Sequence, residues 1–284
     1  IKEEIGHLAG LAGSLHQIGW VHQDRGNYDV ALNYYHRSLK INEEIGDVRG
    51  VATSLHHIGW VWQYRGNYDE ALDYYQRALK IKEEIGELAV IASSLLNIGV
   101  IHHTRRNYDK ALDYYQRSLK ISEEIGDLGS VADSLHNIGA THRNQGNYNE
   151  AMEYYQRSLK IREEIGNVTG ISNSLHQIGV VHQDCGNYDE ALGYYQRSLK
   201  TLEKIGDVGG AASSQGQIGR LLMETEHYAE AFELLRETLN VFIKLQSPNA
   251  GIAVINLKTL RGKWDGFDAA WREATGEDVP EWLQ

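Results

Sequence analysis

Cysteine and proline are nearly absent from this chain. One cysteine, Cys185, cannot close an internal disulfide, so the chain is no disulfide scaffold and its expected setting is a reducing, cytoplasmic one. Two prolines in 284 residues leave little to interrupt helices, and the many Ala, Leu, Glu and Lys residues point the same way. No stretch of eighteen apolar residues occurs, so a membrane span is not expected. The opening IKEEIG has neither the basic start nor the apolar run of a signal peptide. Acidic residues outnumber basic ones, 39 to 28, for a formal net charge of -11. Without a cationic surface, general binding to nucleic acid or anionic lipid is not expected. None of GxxxxGKS/T, GxGxxG, HExxH or CxxC occurs. No motif therefore supports an enzyme, and no cofactor is expected.

What the chain does have is repetition. GNYDEALDYYQR occupies residues 66 to 77, with near copies starting at 26, 106, 146 and 186. The Asn-Tyr pair recurs at Asn27, Asn67, Asn107, Asn147 and Asn187, with a degraded copy at His227. An Ile-Gly pair keeps the same beat at Ile18, Ile58, Ile98, Ile138, Ile178 and Ile218. The period is forty residues. In the unit 47 to 86, Val51, Leu55, Ile58 and Trp62 are spaced as the apolar stripe of a helix. Ala71, Leu72, Tyr75, Leu79, Ile81 and Ile85 give a second stripe. Gly66 suits the left-handed residue that ends a helix, and Asn67 suits the N-cap of the next. Gly86 ends the second helix. Asp47, Asp127, Asn167 and Asp207 suit caps or first-turn anions of the following unit. Each unit thus reads as two antiparallel helices of roughly eighteen residues, about 27 Å long. One hairpin cannot cover its own stripes, whereas stacked copies can. Gly59 and Ala71 fit the close approach of paired helices, and Tyr74 and Tyr75 the larger spaces between units.

At Leu55, Ile58-Gly59, Trp62, Ala71 and Tyr75 the unit resembles the tetratricopeptide repeat family, in its forty-residue form as in kinesin light chains, Pins-type adaptors and bacterial STAND signalling proteins. The match covers about 240 residues. It departs from the family in unit length and in lacking the closing proline. HEAT or armadillo units share the length, but the Gly-Asn-Tyr turn and the small Ala71 speak against them. The resemblance implies an all-α fold: a right-handed α-solenoid of antiparallel hairpins, with about six full units and a divergent C-terminal one. Residues 1–6 read as the end of a truncated preceding repeat, 7–246 as six units, and 247–284 as a divergent capping repeat and tail. In that last repeat Gly262-Lys263-Trp264-Asp265 imitates the turn at Gly66, and Trp271 stands where Tyr75 would.

The resemblance also implies an inner groove lined by the first helix of each unit, opposite its apolar stripe. The expected peptide- or protein-binding residues are His16, Trp20, Gln23, His56, Trp60, Gln63, Tyr64, His103, His136, Arg143, Asn144, His176 and Gln183. Trp20 and Trp60 are the proposed anchors, since exposed tryptophan often carries binding energy; contact with a neighbouring helix or with a lost N-terminal part, or stacking on nearby side chains, is the alternative. The family's carboxylate clamp needs an Asn where this chain has Trp20, Trp60, Val100, Ala140, Val180 and Arg220, so chaperone-tail recognition is disfavoured.

Other rows have structural readings. His22, His102, His142 and His182 share the position of Trp62, which a metal ligand would not do, so they read as packing. Arg37, Arg77, Arg117, Arg157 and Arg197 read as a solvated face. Cys185 stands where other units carry Arg25, Arg65 and Arg105, and reads as exposed. Arg106 replaces a turn glycine; either the turn is strained or it relaxes. Two functions stay open: a protein-interaction scaffold, and the sensor part of a larger STAND-type ATPase or transcription regulator. Repeat-like ends also leave room for self-association.

Overall fold

The computed structural model describes residues 2–283, with side chains from residue 4 onward. Among these residues every regular element is helical. The chain divides into two units, Ile1–Gln145 and Gly146–Gln284. The first holds α1 (Lys2–Asp24), α2 (Tyr28–Ile45), α3 (Val48–Tyr64), α4 (Tyr68–Ile85), α5 (Leu88–Thr104), α6 (Tyr108–Ile125) and α7 (Leu128–Asn144). The second holds α8 (Tyr148–Glu164), α9 (Val168–Asp184), α10 (Tyr188–Lys204), α11 (Val208–Glu224), α12 (Tyr228–Lys244), α13 (Ala250–Lys263) and α14 (Phe267–Thr275), then a single 3-10 turn at Glu281–Leu283. Helices pack in chain order: α3 on α4, α4 on α5, α9 on α10, α10 on α11.

The turns follow from backbone chemistry. Gly66 is left-handed at φ +77°, a conformation glycine adopts without a Cβ clash. Its N–H donates to Gln63 O, and Asn67 N–H donates to Trp62 O at 2.9 Å, the paired bonds of a Schellman turn. The same pair closes α4 at Gly86 and Glu87. The expected side-chain cap at Asn67 does not form. Asp47, Asp127, Asn167 and Asp207 do cap, each accepting from the N–H three residues on. Arg106 keeps the left-handed turn, at φ +59°, and so carries the strain the missing glycine would have avoided.

The core is built from the predicted stripes. Leu55, Ile58, Ala71, Tyr75 and Leu79 are buried, while Val51, Trp62, Leu72, Ile81 and Ile85 are half-buried. Gly59 is required by Tyr75: a Cβ there would sit 3.0 Å from the tyrosine ring and 3.2 Å from Ala71 O. Tyr75 lies wholly inside, packed with Leu95 and Ile98 of the next first helix. Tyr74 is only half-buried. Each fully buried Leu or Ile contributes roughly 1.5–3 kcal/mol, and the repeat supplies such residues at successive helix contacts within each unit.

Two ends differ from expectation. Helix α1 runs unbroken through Gly6, where the copies Gly46 and Gly86 turn left-handed. Residues 4 to 7 are exposed, and continuing the helix pairs their backbone groups without burying surface. Gly262 likewise stays within α13, which ends at Lys263, and α14 begins at Phe267. The imitation of the Gly66 turn therefore does not form one. Trp271 does take the tyrosine's place, buried and stacked on Phe267 at 6.1 Å.

Candidate functional site

The predicted groove residues separate into three kinds. The first kind is exposed: Trp20 keeps 49% and Tyr64 60% of its surface open. Trp60, expected beside Trp20 as an anchor, is instead half-buried. Its ring stacks on Tyr64 at 3.8 Å and meets Tyr28 edge-on at 6.4 Å. It also packs against the apolar clusters on both sides. Aromatic rings on one small patch cover each other before they cover a partner, so Tyr64 presents the outer face.

The second kind is spoken for by hydrogen bonds within the fold. Gln23, Gln63 and Gln183 each accept from the hydroxyl of a buried tyrosine twelve residues on: Tyr35 at 2.7 Å, Tyr75 at 2.9 Å and Tyr195 at 2.7 Å. A buried hydroxyl without a partner would cost about 1–3 kcal/mol, and these glutamines remove that cost. Gln183 also donates to Glu224 at 2.8 Å. His103 links two first helices. Asn144 Nδ2 donates to its Nε2 at 3.0 Å, which leaves Nδ1 to donate to Thr141 Oγ1 at 2.9 Å.

The third kind is a set of half-buried histidines. His16 meets His57 edge-on at 4.7 Å, and both lie 5.2 Å from the Tyr35 ring. His56 lies 5.2 Å from Tyr75, and its buried Nδ1 has no hydrogen-bond partner. Burial lowers the pKa of His16 and His103. It brings His56 down to about 3 and His57 to about 4, with nearby Lys82 adding to both shifts. These rings are neutral near pH 7. His176 lies 5.3 Å from the Tyr195 ring. His136 and Arg143 are half-buried, and Asn144 is exposed.

The structural readings of the other rows gain a specific form. His22, His102 and His182 stack on Tyr34, Tyr114 and Tyr194 at 5.3–5.7 Å. Over the same tyrosines lie the guanidiniums of Arg37, Arg117 and Arg197 at 5.2–5.5 Å. The arginine row is thus tied to the tyrosines as well as solvated. Cys185 is exposed. Among the described residues no three His, Cys, Asp or Glu gather to hold a metal ion, and no helix is long and apolar enough to cross a membrane.

One polar site escaped the sequence reading. Lys82 is almost fully buried and donates to Ser94 Oγ at 3.1 Å. Burial brings its ammonium down to about 8, against an opposing pull from Glu87. One period earlier stands Asn42, and two periods later Arg162; both are buried. The available signal was substitution: this position reads Asn42, Lys82, Ser122, Arg162, Leu202 and Phe242 inside an otherwise copied segment.

Comparison with known proteins agrees with the geometry. A search of curated proteins returned no match. Solved structures share the fold at low identity. A signal transduction ATPase with numerous domains and a tetratricopeptide repeat sensor, from Pyrococcus horikoshii, is 18% identical with a TM-score of 0.72, over 93% of this chain and 41% of that one. Aspartyl phosphate phosphatase F from Bacillus subtilis is 16% identical with a TM-score of 0.66, over 87% and 68%. A Rap protein complexed with competence and sporulation factor is 19% identical with a TM-score of 0.63, over 88% and 74%. The profile described as tetratricopeptide repeat matches residues 10–84, 90–164 and 170–244, well over half the sequence, and the chain belongs to that family.

Proposed function

We propose that this chain is a non-catalytic interaction scaffold that holds a protein or peptide segment against the exposed faces of its first helices. The observation that carries the reading is the exposure of Trp20 and Tyr64 on helices whose Gln23 and Gln63 are held by internal bonds. Large aromatic side chains held on a rigid helix lose little entropy when they anchor a partner. Asn144, exposed and held against His103, adds a fixed polar contact in the same unit. The Rap protein complexed with competence and sporulation factor has this fold, which is consistent with ligand binding on it. The likeness to the tetratricopeptide repeat sensor of the Pyrococcus horikoshii ATPase favours a second reading, in which the same faces serve as the sensor part of a larger signalling protein.

The test is a selection of peptides from a displayed random library on the immobilised protein, followed by affinity measurement on a Trp20→Ala, Tyr64→Ala variant. Loss of at least about tenfold in affinity, roughly 1.4 kcal/mol, with unchanged helicity is expected. Selected peptides that bind the variant as tightly as the parent would remove the proposed anchors.

A further inference from the structure

Between α1, α2 and α3 lies an open cavity of about 220 Å³ whose polar lining includes Ser38, Asn42, Asp47 and Ser54, with Gly50 beside them and His16 and the small residues Ala9, Ala12 and Gly13 on the α1 side. At about 30 Å³ per water it has room for roughly seven waters. Its floor is loosely held: Asn42 Nδ2 reaches Ser38 Oγ and Ser54 Oγ only at 3.4 and 3.5 Å.

The other repeats show what this cavity accepts. One period on, the space is filled by the chain's own Lys82, whose ammonium donates to Ser94 Oγ, the copy of Ser54, and is attracted by Glu87, the copy of Asp47. In the second unit it is filled by Arg162. Its Nη1 donates to Gly170 O at 2.9 Å and to Ser174 Oγ at 3.1 Å, the copies of Gly50 O and Ser54 Oγ. Gly50 and Gly170 stand where a Cβ would meet the side chain from the floor, at 2.5 Å from Asn42 Cγ and 2.7 Å from Arg162 Cδ, whereas the Lys82 site carries Val90 there. The serine hydroxyl that accepts from a buried cation in both repeats is present at the first site as Ser54, together with the carbonyl of Gly50 and the carboxylate of Asp47, and the side chain from the floor there is a short, neutral amide.

We propose that the cavity at Asn42 is a binding site for a lysine or arginine side chain of the bound polypeptide, the external cation taking the place that Lys82 and Arg162 occupy elsewhere. This rests on the interaction reading given above and names one residue class of the partner. Asp47 supplies the opposite charge at the rim. Its carboxylate already caps α3 by accepting from Gly50 N–H at 3.0 Å, which offsets the positive end of that helix's dipole. The carbonyl of Gly50 and the hydroxyl of Ser54 supply oriented acceptors, and charge-assisted bonds of this kind are the stronger class. The net charge of -11 favours the approach of a cationic segment.

The test uses isotope-labelled protein and three probes: N-acetyl-lysine methylamide, N-acetyl-arginine methylamide and N-acetyl-norleucine methylamide, the last carrying lysine's four-carbon chain without its ammonium. The lysine or arginine probe is expected to move the amide resonances of Asp47, Gly50 and Ser54 with a Kd on the order of 1–10 mM, while norleucine does not. Asn42→Lys, which copies the arrangement at Lys82, should weaken binding by at least about tenfold with helicity retained. Equal shifts with norleucine, or unchanged affinity in Asn42→Lys, would overturn the proposal. So would absence of any response to both charged probes; if Trp20 and Tyr64 still anchored selected peptides, that result would leave the interaction reading standing.

Discussion

Acid should weaken this fold through two particular rings. His56 and His57 sit among His16, Lys82, Tyr35 and Tyr75, and burial brings their pKa values to about 3 and about 4 from 6.5. A histidine whose folded pKa lies below its unfolded one disfavours the protonated form in the fold. Its contribution to stability is therefore complete above pH 6.5 and is lost as pH falls from there toward 3 to 4. Between pH 7.5 and 5.5 each ring stays neutral when folded but gains a proton when unfolded, which costs about 1.4 kcal/mol per ring and about 3 kcal/mol for the pair. Ordinary carboxylates remain ionised throughout that window, so they do not mask the effect. The control is His56→Leu, His57→Gln, two residues that sibling repeats carry at these positions as Leu96 and Gln177. Urea unfolding at the two pH values, followed by far-ultraviolet circular dichroism, gives the difference. The parent should lose about 3 kcal/mol more than the variant on acidification. Equal losses within about 0.5 kcal/mol, the range of ordinary surface substitutions, would refute the buried-neutral assignment.

Two backbone predictions follow from the turns and helix crossings. Arg106→Gly relieves a left-handed residue at φ +59° and should raise stability by about 1 kcal/mol, seen as a thermal midpoint about 2–4 °C higher; a fall would show that the guanidinium does more than the turn costs. Gly99→Ala places a Cβ 2.5 Å from the Tyr115 ring and should cost about 1–3 kcal/mol by overpacking. Gly10→Ala, in α1 with no atom within 4 Å of the new Cβ, should instead gain up to about 1 kcal/mol from helix propensity. Denaturant midpoints of the two variants shifting in the same direction would contradict the crossing geometry.

Periodicity determined most of the architecture before any coordinate was needed. Two turn glycines in each forty-residue period, with stripes at helical spacing between, left only hairpins of the observed length, and α3 and α4 begin and end within a residue of that reading. The all-helical character, the buried Tyr75 and the close contact at Gly59 came from the same pattern, because local propensity and burial agree there. The groove was less legible. Trp20 and Trp60 share a register and a residue type, yet one is open and the other is covered by Tyr28 and Tyr64. Gln23 and Gln63 looked free but hold tyrosine hydroxyls, because a bond between helices depends on distance across the hairpin and not on sequence spacing alone. Nothing in the helical spacing marks the position of Asn42, Lys82 and Arg162 as buried. Only the packing of three helices turned it into a buried floor, since burial belongs to the assembled surfaces and not to the residue that happens to stand there.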